Sequence, residues 1–345
     1  MKKNFSYEEI FCSIKQNWDK LAKPLDSLGE FEKEICKIGA CQKKIIPSLK
    51  KCALLVLCSD NGIVEEGVSQ SGQEVTEICA KNIAAGKSAC GVLAKKNGVK
   101  IIAADVGMNC EKTPRKVLNF KVRRGTRNFV KEKAMTKSEL EKALLAGKNL
   151  AQKIKKRGFN LICIGEMGTG NTTTSAALCA AVFGLSAEKI AGRGAGLDDE
   201  KFLKKIGVIN FAIEKYSLAG KSALEALEAV GGFDIAAMAG VYAECCKLNM
   251  PVILDGAISL AAALVAKEIC PDVEKYLVPS HKSREILCSK VCEKLNFSPV
   301  LDAKMALGEG SGAVFMLSLL RDSLEIYKKC LPFSKSGVEQ YKRYD

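Results

Sequence analysis

The chain reads as an α/β protein: a parallel, Rossmann-like sheet flanked by helices, with a smaller helical subdomain built from its two ends. Three observations predict this. Five apolar runs of strand length lack polar alternation, helical periods separate them, and both ends of the chain look helical without offering a strand. A strand with one face in water alternates apolar and polar residues, so an unbroken apolar run suits a strand covered on both faces, as in a parallel sheet between helix layers.

In chain order, the first 45 residues are expected to be helical. CALLVLCS (52–59) and VKIIAADVG (99–107) are the first two strands, a helical period runs from Lys137 to Lys156, and FNLICIGEM (159–167) is the third strand. Thr172 to Phe183 reads as a helix, PVILDG (251–256) and KYLVPSH (275–281) as the last strands, and GAVFMLSLLRDSLEIYKK (312–329) as a closing helix. Strands alternating with helices imply βαβ units. The expected division is a helical subdomain of residues 1–45 plus 312–345 and an α/β domain of residues 46–311. Neither an internal repeat nor a low-complexity linker interrupts the chain.

Composition narrows the function. With 345 residues, 48% of them hydrophobic, the chain can bury a large core. It has no uncharged apolar stretch of about 18 residues, and its N-terminus turns polar where a signal peptide needs an apolar segment, so a cytoplasmic protein that avoids membranes is expected. The sixteen cysteines are scattered through apolar positions such as Cys52, Cys58, Cys163 and Cys179 and form no CxxC pair, which suits reduced core thiols. Cys288 and Cys292 make a CxxxC, but with a single histidine in the chain a zinc site lacks its usual partners, and no metal is expected. A net charge of +14 raises the question of nucleic acid. The lysines are dispersed without arginine or aromatic clusters, which argues against it, while a basic field still attracts anionic small molecules.

In open parallel sheets ligands collect beyond the carboxyl ends of the strands. The residues that follow the five runs are polar or glycine-rich: SDNG, DVG, GEMGTGNTT, DG and PSHKS. GEMGTGNTTTSAAL (165–178) leads from a strand through glycines into a helix whose first turn holds Asn171, Thr172 and Thr173. Free amides and the partial positive charge of a helix start would hold a phosphate there. No GK[ST] follows and no clean GxGxxG is present, so the pattern is not that of an ATP or dinucleotide site; read alone, it is equally a capped helix after a tight turn. GRGAGLDDE (192–200), with Lys205 one turn into the next helix, is open to the same two readings. LGEGSGAV (307–314) sets Glu309 between two glycines, where backbone can touch a ligand. Two anion-binding turns, two glutamates and a lysine together suggest group transfer from a phosphorylated donor. Ribosyl transfer passes through a positively charged, oxocarbenium-like state, and Glu166 and Glu309 fit the roles of stabilising it and of deprotonating the nucleophile.

PLDSLGEFE (24–32), SDNGIVEEGVS (59–69), QEVT (73–76), RRGTRNF (123–129), GEMGTGNTT, GRGAGLDDE, VGGFDIAAMAG (230–240), LDGAIS (254–259), LVPSHKS (277–283) and LGEGSGA occur in this order. Through these blocks the chain resembles, nearly end to end, the nicotinate-nucleotide:dimethylbenzimidazole phosphoribosyltransferase family. The resemblance implies a homodimer without cofactor that moves phosphoribose from nicotinate mononucleotide to 5,6-dimethylbenzimidazole, giving α-ribazole 5'-phosphate and nicotinate. It further implies Glu309 as the base that takes the acceptor's N–H proton, with Glu166 and Lys205 on the donor side. Gly168, Gly170, Asn171, Thr172, Gly194 and Ser283 would hold the phosphate, and Ser71, Cys79 and Leu307 would line the acceptor pocket. The chain departs from the family pattern at Asn61, where the family often has histidine, at Ala306, where an arginine is common, and at Cys79, where some members carry glutamine. Relatives of the family use phenol, p-cresol or adenine, and these are the alternative acceptors.

Overall fold

The computed structural model describes residues 5–343 and contains a six-stranded, wholly parallel sheet. Its strands are β1 (Cys52–Ser59), β2 (Lys100–Gly107), β3 (Leu118–Asn119), β4 (Leu161–Met167), β5 (Val252–Ile253) and β6 (Leu277–Val278), in the spatial order β3-β2-β1-β4-β5-β6. The α/β reading holds, and the five apolar runs are five of the six strands. β1 is central and buried at every residue, which is why its run never alternates. β3 (two residues) lies at the edge of the sheet, with Leu118 half-buried and Asn119 exposed, so unlike the equally short β5 and β6 it sits in no apolar run.

The pleat sorts the unbroken runs into two cores. Ala53, Leu55 and Leu57 of β1, with Ile162 and Ile164 of β4, face a core shared with the helices Lys137–Lys156, Asn171–Phe183, Phe233–Lys247 and Ala257–Ile269. Leu54, Val56 and Cys58, with Leu161 and Cys163, face the opposite core. There they meet the helices Tyr7–Asp19, Glu30–Gln42 and Ser311–Lys329. The two ends of the chain are joined directly: the Trp18 and Tyr327 rings lie 4.8 Å apart, and Leu21 bridges to Pro332. The expected terminal segments at residues 1–4 and 344–345 lie outside the described residues. No helix among the described residues is long and apolar enough to cross a membrane, and all sixteen cysteines are free thiols.

Register places the site. Cys58 pairs with Met167 on one side, and after an irregularity Ser59 pairs with Gly107 on the other, so β1, β2 and β4 end level with one another. The turns that follow them open on one edge of the sheet.

The helices Lys137–Lys156 and Phe233–Lys247 pack backbone against backbone. A Cβ on Gly147 would overlap the Ala237 carbonyl oxygen, and a Cβ on Gly240 would overlap that of Leu144. Glycine lowers helix propensity by about 1 kcal/mol relative to alanine, so an unconstrained Gly147→Ala would stabilise the chain. Here the overlap should win, with a net loss of about 1–3 kcal/mol in urea unfolding. A more stable Gly147→Ala variant would show that the two backbones are not in contact.

Candidate active site

A cleft of about 200 Å³ opens at the carboxyl ends of β4, β5 and β6 and is floored by the starts of two helices. The first floor is the turn after β4. A Cβ at Gly168 would overlap the Ser59 carbonyl oxygen, so only glycine lets this turn lie against the end of β1. Gly170 takes a left-handed conformation, φ 84°, and starts the Asn171–Phe183 helix. That helix has no capping side chain and no acidic residue in its first turn, which leaves its first amides uncapped toward the cleft.

The 192–197 loop forms one wall. Gly194, φ 55°, donates its N–H to Glu285 Oε1 at 2.9 Å. Lys205 is fully buried behind it and donates from Nζ to Thr172 Oγ1 (3.1 Å) and the Gly192 carbonyl (2.9 Å), tying the loop to the helix start. Burial lowers the Lys205 ammonium to about 8, with Glu285 opposing the shift.

The second floor carries Glu309. Residues Gly308, Glu309 and Gly310 are left-handed in succession, with φ of 79°, 58° and 82°. For Glu309 this conformation costs about 1–2 kcal/mol that a glycine would not incur. The turn lies directly on β4, because a Cβ at Gly165 would overlap the Gly310 nitrogen and the Glu309 carbonyl. Asp255, at the end of β5, accepts from Gly310 N at 2.9 Å through Oδ2 and from Gly312 N at 2.8 Å through Oδ1. Glu309 Oε2 accepts from Cys90 N at 3.4 Å, at the start of the Ala89–Lys96 helix.

Acidic side chains crowd beneath the cleft. Burial pushes Glu166 up to about 8, and Asp234 and Asp255 push it the same way. Burial likewise raises Asp234 to about 6. Asn171 Nδ2 donates to Glu166 Oε2 and, at 3.3 Å, to Asp234 Oδ2, and so holds the pair together. Burial also raises Asp255 and Asp60. His281, the single histidine, lies 4.0 Å from Asp255 Oδ1 and hydrogen-bonds Ser280 Oγ through Nδ1 at 3.0 Å; burial lowers it, against the pull of Asp255.

Of the residues singled out in the sequence, Glu166, Gly168, Asn171 and Thr172 line the cleft from β4 and its helix, and Gly194, Ser283, Leu307 and Glu309 line it from the other walls. Lys205 sits behind Thr172, and Gly170 packs toward Ile63 and Val64. Ser71 and Cys79 lie outside the lining, although Cys79 is near enough to Glu309 for the carboxylate to raise its thiol further, after burial. Asp255 and His281 line the cleft without having been singled out; they stood in the DG and PSHKS turns. Asp234 was a lone acid in the apolar stretch FDIAAMAG, which is a signal for a buried partnered carboxyl. Nothing local distinguishes Glu285.

Residues 6–338 match the family model DBI_PRT, described as Phosphoribosyltransferase. The nicotinate-nucleotide--dimethylbenzimidazole phosphoribosyltransferase of Acetivibrio thermocellus is 36% identical, over 97% of this chain and 95% of its own length. The protein of that name from Desulforamulus reducens is 38% identical, over 94% of this chain and 93% of its own. The crystal structure of CobT from Thermus thermophilus superposes with a TM-score of 0.90 at 36% identity, covering 96% of this chain and 100% of the other.

The raised Glu166 has a measurable consequence for stability. Its ordinary value is 4.5 and its folded value about 8, so between these the folded chain holds a proton that the unfolded chain has lost. The stability this group contributes is complete below 4.5 and is lost as pH rises through 8. Glu166→Gln cannot ionise, and its Tm relative to the parent should rise as pH goes from about 5 to about 9. A Tm difference constant over that range would mean that the carboxyl is not held neutral.

Proposed function

The chain belongs to the DBI_PRT phosphoribosyltransferase family, and from that premise we infer that it transfers phosphoribose from nicotinate mononucleotide to 5,6-dimethylbenzimidazole in assembly of the cobalamin nucleotide loop. The products are α-ribazole 5'-phosphate and nicotinate. The observation that carries this reading is the meeting, in one cleft, of an uncapped helix start and the two glutamates 166 and 309. The helix start suits the 5'-phosphate, with Gly168, Asn171, Thr172, Gly194 and Ser283 around it. Lys205 acts from below by holding Thr172 and the 192–197 loop in place.

The acceptor ring lies on the Glu309 side, near Leu307. As its ring nitrogen bonds to C1' of the ribose, its N–H proton passes to the Glu309 carboxylate. The bond from C1' to the nicotinate ring nitrogen breaks on the opposite face and leaves its electron pair on nicotinate, so the anomeric configuration inverts. Much of the acceleration then comes from holding two rings in line across one ribose. Glu166, neutral below about 8, serves as a hydrogen-bonding group on the donor side in the free chain and not as a fixed charge.

Ser71 and Cys79 belong to the outer part of the acceptor pocket on this reading. Cys79 lies near Glu309, and a cysteine where some members of the family carry glutamine would admit acceptors other than dimethylbenzimidazole. Adenine and phenols therefore belong in the assay panel. We place the enzyme in the cytoplasm on its free thiols. A homodimer is consistent with Val92 and Phe315, large apolar side chains left exposed on the helices that flank the Glu309 turn.

A general base contributes about 10²- to 10⁴-fold, so Glu309→Gln should lose that factor in nicotinate release while binding nicotinate mononucleotide as the parent does. Turnover within about threefold of the parent would remove Glu309 from the role. Glu166→Gln should lower turnover at saturating donor; a change in donor affinity alone would make it a binding residue only.

A further inference from the structure

We propose that Asp255 is the positioning residue for Glu309: its buried carboxylate grips the backbone on the C-terminal side of Glu309 and thereby aims the base at the acceptor. The inference rests on the reading of Glu309 as base. It assigns Asp255, which lines the cleft, a role exerted through another residue.

The helix Ser311–Lys329 has no capping side chain of its own and no acid in its first turn. Its first N–H groups need acceptors all the same. Asp255 supplies them from just past β5, more than fifty residues away in sequence, and commits both oxygens to it: Oδ2 to Gly310 N (2.9 Å) and Oδ1 to Gly312 N (2.8 Å). The Gly310 N–H belongs to the peptide unit that begins at the Glu309 carbonyl. Fixing that N–H fixes the plane of this peptide, and with it the direction in which the Glu309 Cα–Cβ bond leaves the chain.

Local sequence cannot do this. Glycines on either side of Glu309 permit many conformations, and Glu309 itself stands at a φ of 58° that its type seldom adopts. A conformation both permissive and strained persists only when surrounding structure imposes it. β4 confines the turn from below through Gly165, and Asp255 is the group that binds it. Asp255 is 3% exposed and lies two residues past the buried strand β5, so its surroundings confine it. His281 beside it, 4.0 Å from Oδ1, closes the remaining side. With both oxygens on backbone N–H groups, Asp255 has little capacity to act on substrate directly.

A displacement of about 1 Å in a reacting group can cost on the order of 10²-fold in rate. Asp255→Asn replaces one acceptor oxygen by an NH₂ group facing a backbone N–H, and should lower kcat about 10- to 100-fold. The equilibrium dissociation constant for nicotinate mononucleotide should stay within about threefold, which also shows that the variant is folded. The decisive comparison repeats the substitution in Glu309→Gln. If Asp255 works through Glu309, the second substitution should cost no more than about twofold once the base is gone. Equal losses in both backgrounds would overturn the proposal in favour of a general structural role, as would a parent-like kcat in Asp255→Asn. Should Asp255→Asn fail to fold, Asp255→Glu keeps the charge and moves the anchor by one methylene, and its losses in the two backgrounds separate positioning from a general structural role in the same way. Parent-like activity of Glu309→Gln alone would remove the base assignment on which this rests, and it is read in a protein whose Asp255 is intact.

Discussion

One backbone approach governs the site: the turn at residues 308–310 rests on β4 where residue 165 has no side chain. Any Cβ there would push the turn off the sheet, and with it the Glu309 carboxylate. The same device recurs one turn on, where Gly168 lets the loop after β4 lie against the end of β1. Parallel strands end in a level edge, and a level edge leaves no room for side chains between strand ends and the loops that roof them. Glycine at these contacts follows from the sheet, and the cleft follows from the glycines.

The fold was largely legible because a sheet buried on both faces leaves a strong mark. Eight consecutive buried residues in β1, apolar up to the closing Ser59, have no other comfortable place in a chain of this size. The Lys137–Lys156 helix was readable to the residue because Thr136 and Glu139 form a capping box that marks its start. β3 was invisible: two residues, held by pairing with Ala104 and Asp105, carry no pattern of their own.

The site was legible in proportion to how locally each role is built. Glu309, Glu166 and the GTGN turn announce themselves through glycine spacing. Lys205 appeared in the sequence as part of an anion-binding turn, and in the structure its ammonium is engaged by Thr172 and Gly192, a distinction that depends on which way a helix faces. Asp255 and Glu285 hold loops far away in sequence, at 310–312 and at 194. A long-range hydrogen bond has no local signature, so such residues are found only once the chain is folded.

Six carboxyl groups on or beneath a cleft meant for an anionic donor, those of Asp60, Glu166, Asp234, Asp255, Glu285 and Glu309, look like an electrostatic contradiction. Burial resolves much of it. A desolvated carboxyl keeps its proton, and Glu166 at about 8 and Asp234 at about 6 carry less than their formal charge near neutrality. Asp255 retains an environment of backbone N–H donors that spreads whatever charge it holds into the start of a helix. Lys205 supplies a compensating cation from beneath Thr172, outside the cleft lining, so its field reaches the helix start without an exposed ammonium taking up space at the surface of the cleft. On the proposed reading the ribosyl centre develops near these acids, and the proton that Glu166 keeps lessens the repulsion that an incoming phosphate meets. The charge they withhold in the free chain is set by desolvation and mutual repulsion, and a positive centre among them would favour the ionised form of each, Glu166 included.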